Sequence, residues 1–315
     1  MYSLVIPVYR NESNLPSLLE ALDTLRGSLA DPLEVVFVAD GTPDRCVELL
    51  REKLPTVRFK SQLIVHARNF GAFAAIRTGL SVATGPFFAV MAADLQEPIG
   101  LVEQFFRELK TGEVDVVVGQ RTRRADAYTT SLASNLYWWL YRKVVNAEIP
   151  PGGVDVFGCN AQALEALLQL TESNSSLVAQ LFWIGFRRRA VTYERQARLE
   201  GESAWTLRKK VRYLLDSVYS FTDLPIRLLT LVGGLAMFLA VLLTLIVLVW
   251  RLLGKIELPG YTPTILTIVF FGGFNALGLG IIGEYVWRAF ENTKARPGSL
   301  VLMKQQFPGA TAKPG

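Results

Sequence analysis

The stretch Phe88-Ala89-Val90-Met91-Ala92-Ala93-Asp94-Leu95-Gln96-Glu97-Pro98 decides how this chain is read. An apolar run of strand character, Phe87 to Met91, ends abruptly in an acidic turn. Pro98 then opens a helical pattern through Leu101, Val102, Phe105, Phe106 and Leu109. In an open α/β sheet, ligands collect at the carboxyl ends of the strands. A carboxylate placed there can hold a divalent metal, and the metal can hold a diphosphate. An Asp in that place can also simply cap the helix that follows. The surrounding sequence has to choose.

Working outward, the same grammar recurs. Ser3 to Val8 is a short apolar strand, and the turn Tyr9-Arg10-Asn11-Glu12 leads into a helix with Leu15, Leu18, Leu19, Leu22 and Leu25 on one face. Leu33 to Ala39 is a second strand, ended by Asp40-Gly41-Thr42-Pro43-Asp44. Val57 to Phe59 and Leu63 to Val65 read as short strands before His66-Ala67-Arg68-Asn69-Phe70-Gly71 and an Ala-rich helix. Val114 to Gly119 is another strand, Val154 to Gly158 an edge strand, Ala161 to Leu170 a helix and Arg187 to Tyr193 a strand. Alternation with short turns predicts an α/β domain on a mostly parallel, doubly wound sheet. The polar turns all fall at strand carboxyl ends, which argues for one shared ligand site rather than a set of independent caps.

The chain has 315 residues, net charge +5 and mean hydropathy +0.28, high for a soluble protein. The cause is local. Leu228 to Trp250 and Ile265 to Ile282 are almost uninterrupted apolar runs. Helices of about 18–23 residues rise about 27–35 Å, the thickness of the bilayer hydrocarbon. Arg208, Lys209, Lys210, Arg212 and Arg227 precede the first run, and Arg288, Lys294, Arg296 and Lys304 follow the second. That bias predicts a multi-pass protein of the inner (plasma) membrane, with the α/β domain and both termini cytoplasmic. Trp205 to Tyr219 has an apolar face and basic neighbours, the pattern of an interfacial helix. The excess positive charge reads as attraction to a lipid bilayer; no nucleic-acid motif accompanies it. No cleavable signal is read at the N-terminus, so the internal spans would direct insertion. Cys46 and Cys159 suggest neither a disulfide framework nor a zinc site. The helical, aromatic stretch Tyr128 to Val145 reads as a packing helix or a membrane-surface element, and the tail from about Arg296 as loosely ordered.

Several turns, taken in order, carry a likeness. Pro7-Val8-Tyr9-Arg10-Asn11-Glu12, Val38-Ala39-Asp40-Gly41-Thr42-Pro43-Asp44, Arg68-Asn69-Phe70-Gly71, Asp94-Leu95-Gln96-Glu97-Pro98, Gly119-Gln120-Arg121, Arg198-Leu199-Glu200-Gly201-Glu202-Ser203 and Gly283-Glu284-Tyr285 resemble the polyprenyl-phosphate glycosyltransferases of the GT-A fold. The resemblance implies a Rossmann-like GT-A catalytic domain (residues 1–200), a juxtamembrane amphipathic segment (201–227), transmembrane helices at 228–250 and 263–286 joined by an external loop (251–262), and a cytoplasmic tail (287–315). It implies inverting transfer of a sugar from a nucleotide diphosphate donor, UDP by default, to a membrane polyprenyl phosphate, by a homo-oligomer. By the same resemblance Pro7, Tyr9, Glu12 and Asp40 line the nucleotide pocket, and Arg68 is a further substrate-binding residue. Asp94 and Gln96 hold Mg²⁺ or Mn²⁺, with Glu97 adjacent. Arg121 and Arg198 face phosphate groups, with Arg124, Arg195 and Ser203 nearby.

Two positions depart from the family pattern. Ala39 precedes Asp40 where a second Asp is usual, and Ala92 stands where an Asp-x-Asp pair would begin. These losses keep open a degenerate, membrane-anchored binding or scaffold protein. A transferase acting on a glycolipid hydroxyl is the other alternative; it would need a general base, for which Asp155 and Glu172 are the residues to try. A phosphate acceptor is already an anion and needs only positive charge and in-line placement. On that reading His66, the chain's single histidine, is a structural residue rather than a catalytic one.

Overall fold

The computed structural model describes residues 1–121, 139, 141–143, 146–150, 153–196, 207–253 and 260–310. Strand β1 (Tyr2–Val8) and strand β2 (Leu33–Ala39) are buried along almost their whole length. Near-continuous apolar runs of this kind suit parallel strands covered on both faces. Because side chains alternate across a strand, Leu4 and Ile6 enter one core with Leu15, Leu18, Leu22, Phe105 and Phe106. Val5 enters the other, with Val36, Val38, Ala75, Ile76 and Leu80. The helices supplying those faces are α1 (Leu15–Ser28), α2 (Cys46–Lys53), α3 (Ala72–Val82) and α4 (Ile99–Lys110). Pro16 starts α1 and Pro98 caps α4, positions where the missing N–H costs nothing.

Strands β3 (Lys60–His66), β4 (Phe87–Val90), β5 (Val116–Arg121), β6 (Phe157–Asn160), β7 (Arg188–Tyr193) and β8 (Val301–Phe307) complete one sheet, in the order β7-β5-β6-β4-β1-β2-β3-β8. The pairings of β1 with β2 and β4, of β2 with β3 and of β5 with β7 are parallel. Those of β3 with β8 and of β6 with β4 and β5 are antiparallel. The α/β expectation holds, with more antiparallel pairing than the pattern suggested.

Three expectations are corrected. Val57 to Phe59 is not a strand: Pro55 sits in a 3₁₀ turn at Leu54–Thr56, and pairing begins only at Lys60. The strand placed at Val154 to Gly158 starts at Phe157 and lies inside the sheet rather than at its edge. Gly158 allows that placement, because a Cβ there would lie 3.0 Å from Phe88 O. The tail is not loose over Val301–Phe307, which pairs with β3 from Ser61 to His66. Helices α5 (Ala161–Gln169) and α6 (Leu177–Trp183) follow β6, and α6, whose seven residues leave little periodicity to read, was not anticipated. Most of Tyr128 to Val145 lies outside the described residues.

The chain divides into two units, Met1–Leu214 with Pro297–Gly315, and Leu215–Arg296. Helix α7 (Leu207–Phe221) ends before the Asp223-Leu224-Pro225 break. The second unit holds α8 (Leu224–Leu252) and α9 (Tyr261–Thr293). Among the described residues one helix is long and apolar enough to cross a membrane, Leu224–Val247, with mean hydropathy 2.6. Helix α9 does not stop at Gly283-Glu284 as the apolar run did; it continues to Thr293. There Arg288 pairs with Asp216 and Glu284, and Tyr285 donates to Thr222 O at 3.4 Å.

Candidate active site

Strands β1, β2, β3, β4, β5 and β7 run in the same direction, so their carboxyl ends share one edge of the sheet. That edge collects Tyr9, Asp40, Arg68, Asp94, Arg121 and Arg195. In open α/β sheets this is where ligands bind.

The turns after β1 and β2 are stapled to each other. Arg10 N donates to Thr42 Oγ1 at 2.9 Å and Glu12 N to Asp44 Oδ2 at 3.2 Å. In return, Arg45 N donates to Glu12 Oε2 at 3.0 Å. Arg10 sits at φ 55, a left-handed conformation uncommon for a residue with a side chain. Pro7 and Tyr9 are half-buried beside this staple. Glu12, expected to line a nucleotide pocket, thus spends one carboxylate oxygen on the start of α2.

Asp40 is 2% exposed and fully engaged. Its Oδ1 accepts from Phe70 N at 2.9 Å and lies 2.8 Å from His66 Nδ1; its Oδ2 accepts from Gly71 N at 2.7 Å. Asn69 Nδ2 reaches Asp40 O at 3.2 Å. Next to it, Gly41 has φ +58, and a Cβ there would fall 2.2 Å from Arg68 C. The Arg68–Gly71 loop is therefore pressed onto the end of β2. Arg68 stacks its guanidinium 4.0 Å from the Phe70 ring centroid, and Phe70 meets His66 edge-on at 5.5 Å. His66 is buried, with a hydrogen-bond partner at each ring nitrogen.

At the acidic turn, Leu95 adopts φ 52, which folds Gln96 N back to within 3.4 Å of Asp94 Oδ1. A non-glycine residue held there stores local strain, a feature concentrated at ligand sites. Gln196 N donates to Gln96 O at 2.9 Å, and Arg195 donates to Gln96 Oε1. The chain beyond β7 is thereby laid along the turn. Asp94 and Glu97 are 9% and 2% exposed. Burial, then the neighbouring Asp94 charge, push the Glu97 carboxyl above the usual range, against the pull of Arg195 and Arg121. Glu97 Oε2 and Arg195 Nε are buried with no hydrogen-bond partner among the described residues. Arg121, at the end of β5, is ion-paired with Asp155, which also accepts from Tyr193 Oη at 3.4 Å. Burial, then Glu97, raise the Tyr193 phenol.

The structure brings Asp94, Gln96, Glu97, Arg121 and Arg195 together, and separately ties Asp40 to the Arg68–Gly71 loop. Arg124, Arg198 and Ser203 lie outside the described residues. Thr78 and Ser299, which complete the His66 contacts, carried no sequence signal, being 12 and 221 residues from their partners.

An α/β sheet with carboxylates and guanidiniums gathered at its strand ends defines a domain for anionic, phosphate-bearing ligands. The sequence model described as glycosyl transferase family 2 matches residues 3–171, and the chain belongs to that family. It is a glycosyltransferase with a GT-A-like sheet. A Bacillus subtilis (strain 168) protein named as a glycosyltransferase, CsbB, is 33% identical over 301 residues, covering 96% of this chain and 91% of its own. The undecaprenyl-phosphate 4-deoxy-4-formamido-L-arabinose transferase of Aeromonas hydrophila is 29% identical, over 94% and 91%. The bactoprenol glucosyl transferase of Shigella phage SfX is 26% identical, over 96% and 99%.

Proposed function

We propose that this protein transfers a sugar from a nucleotide diphosphate donor, UDP-linked by default, to the phosphate of a membrane polyprenyl phosphate, with inversion at the anomeric carbon. The observation that carries the reading is the buried acidic turn Asp94–Glu97 set against Arg121 and Arg195 on one sheet edge. Two full-length relatives named for undecaprenyl phosphate and bactoprenol support the acceptor class.

The site suits a hard divalent cation. Carboxylate oxygens are the ligands that Mg²⁺ and Mn²⁺ prefer, and Glu97 Oε2 is a buried oxygen without a partner among the described residues. Asp94 and Glu97 would hold the ion, joined by Gln96 once its Oε1 is released from Arg195. When bound, the metal would neutralise the leaving diphosphate. Among the described residues no three of His, Cys, Asp or Glu gather around one point, so donor phosphates and water would fill most of the shell. Arg121 and Arg195 offer planar, permanently charged donors to phosphate oxygens. Both are already oriented by contacts to Asp155 and Gln96, which limits the reorganisation needed on binding. The acceptor anion attacks in line without a base.

A hydroxyl acceptor would need a base, and the two residues to try are committed elsewhere. Asp155 pairs with Arg121, and Glu172 accepts from Gln180 Nε2 at 2.8 Å. In the proposed setting α8 and the apolar part of α9 both span the inner membrane as part of a homo-oligomer, with residues 251–262 outside and the catalytic unit on the cytoplasmic face. The lipid-borne acceptor then meets the site in two dimensions.

The test is transfer of label from nucleotide sugars, UDP-glucose first, to undecaprenyl phosphate in membranes containing the protein. The product should be labile to mild acid, as a sugar phosphate is, and Asp94→Ala should abolish it. Full transfer by that variant with metal in excess would remove Asp94 from the site. A product stable to mild acid would replace the phosphate acceptor with a hydroxyl.

A further inference from the structure

We propose that Ser299, in the segment that leads into β8, is a positioning residue for the nucleotide pocket, acting through Thr78 and His66 on Asp40. The inference rests on the reading of Asp40 and the Arg68–Gly71 loop as part of that pocket.

The contacts form one chain. Ser299 Oγ lies 2.7 Å from Thr78 Oγ1, Thr78 Oγ1 lies 3.0 Å from His66 Nε2, and His66 Nδ1 lies 2.8 Å from Asp40 Oδ1. His66, Asp40 and Thr78 are 1%, 2% and 9% exposed, so water does not substitute freely within the Thr78–His66–Asp40 part of the chain, and the half-buried Ser299 closes its outer end. An ionised carboxylate only accepts, so the proton of a neutral imidazole belongs on Nδ1. Nε2 then accepts from Thr78, and the Thr78 oxygen accepts from Ser299. All donors point toward Asp40, an arrangement in which each bond polarises the next.

Asp40 is also the group that grips the loop, taking Phe70 N at 2.9 Å and Gly71 N at 2.7 Å. A second tie runs directly from the tail, where Ala67 N donates to Leu300 O at 2.9 Å. The strand register shifts between Val65 and His66, at the point where these tail residues meet β3. The segment after the last helix thus braces the far side of the residue that shapes the Arg68–Gly71 loop. The sequence separation of 221 residues between Thr78 and Ser299 makes this a tertiary device rather than a local turn.

One histidine in the chain makes the test clean. Full-length protein, labelled with ¹⁵N-histidine in lipid bilayers, should give a single imidazole pair in solid-state spectra, of the Nδ1–H form. Ser299→Ala should move the Nε2 resonance. It should also weaken UDP binding, and raise KM for the nucleotide sugar, by about fivefold, the effect of one neutral hydrogen bond. The kcat and the KM for undecaprenyl phosphate should stay within twofold, and Ser299→Thr should restore both the resonance and the donor KM. An unmoved Nε2 resonance in Ser299→Ala, or a shift with unchanged UDP affinity, would overturn the proposal. So would equal losses in kcat and in both KM values, the signature of a general packing defect. If the wild type binds no nucleotide at all, the functional reading fails and takes the ligand half of this inference with it, while the imidazole spectrum still tests the hydrogen-bonded chain by itself.

Discussion

Gly41→Ala should damage the proposed nucleotide pocket by pressing on the backbone of the Arg68–Gly71 loop. Two costs can be worked out. At φ +58, an alanine carries the left-handed penalty of about 1–2 kcal/mol. The new Cβ would also lie 2.2 Å from Arg68 C, 2.4 Å from Asn69 N and 2.7 Å from Arg68 Cα. All three are backbone atoms with no rotamer to escape into. Restoring ordinary carbon contact distances requires the loop to retreat by about 1 Å. Phe70 N and Gly71 N now stand 2.9 and 2.7 Å from the Asp40 carboxylate, and a retreat of that size takes both beyond hydrogen-bond range. Bonds to a charged acceptor contribute about 1.5–3 kcal/mol each. The total reaches about 4 kcal/mol or more, and for a unit of this size that is about 8 °C or more of apparent Tm. Thermal unfolding followed by tryptophan fluorescence, with titration calorimetry against UDP, checks both halves. Gly71→Ala is the comparator: at φ +100 it is strained, but nothing lies within 4 Å of its added Cβ, so it should show only the backbone cost of about 1–3 kcal/mol. A Gly41→Ala protein within 2 °C of wild type and within twofold in UDP affinity, or one no worse than Gly71→Ala, would show that the loop is not pressed onto β2 as described.

Other consequences are as direct. Glu34 is fully buried, and although burial pushes its carboxyl up, Lys60 at 2.8 Å, Thr84, Ser3 and Gln62 pull it from 4.5 down to about 2. A depressed carboxyl stabilises the fold above its unfolded pKa and loses that contribution as pH falls through the folded one. Acid unfolding between about pH 4.5 and 2 should therefore carry about 3 kcal/mol from this residue, and Glu34→Gln should flatten that part of the stability profile. Glu97 has the opposite sign: its carboxyl is raised, so its ionised form costs stability at neutral pH. Glu97→Gln should raise the apparent Tm of the metal-free protein while weakening Mn²⁺ binding about tenfold or more, the cost of one missing charged ligand. Metal and nucleotide should also bind cooperatively, each raising the other's affinity by the same factor, as linkage requires. Calorimetry of each ligand with and without the other gives the two ratios.

The fold was legible where periodicity and burial agree. The two-sided burial of β1 and β2 follows from their unbroken apolar runs. The face of α4 is the one its Leu and Phe spacing announces, with Leu101, Val102, Phe105, Phe106 and Leu109 all buried. What escaped has physical causes. Strand β6 contains Gly158 and only four residues, so neither its length nor its pattern marks it as central. Strand β8, Val-Leu-Met-Lys-Gln-Gln-Phe, mixes apolar and polar residues and pairs only along one edge with β3, which leaves little burial to shape its sequence. At the candidate site, strand-end position pointed to Asp94, Arg121 and Asp40, and the resemblance to Arg68, and the topology puts those ends on one edge of the sheet. It could not show that Asp40 grips a backbone loop, that Gln96 is held by Arg195, or that Glu97 is more deeply buried than Asp94. Those facts depend on side-chain direction and on partners dozens to hundreds of residues away.

The same packing bears on the two acidic residues this chain lacks. Ala39 is fully buried, in one core cluster with Met91 and Ala93. A carboxylate there would be cut off from water and would need its own donors, a cost of several kcal/mol. The donors nearby in sequence, Phe70 N, Gly71 N and His66, are already taken by Asp40. The alanine at 39 is thus consistent with a turn whose single carboxylate has been given a full set of partners. At the other turn the balance differs. Asp94 and Glu97, with Asp155 on Arg121, set three carboxylates against Arg121 and Arg195, so the cluster carries formal negative charge before any ligand arrives. A further carboxylate at position 92, two residues from Asp94, would add to that negative charge and compete with phosphate for the arginines. With Ala92 the arginines are shared between the turn and an incoming anion, and affinity for a cation rests more heavily on the diphosphate that comes with it.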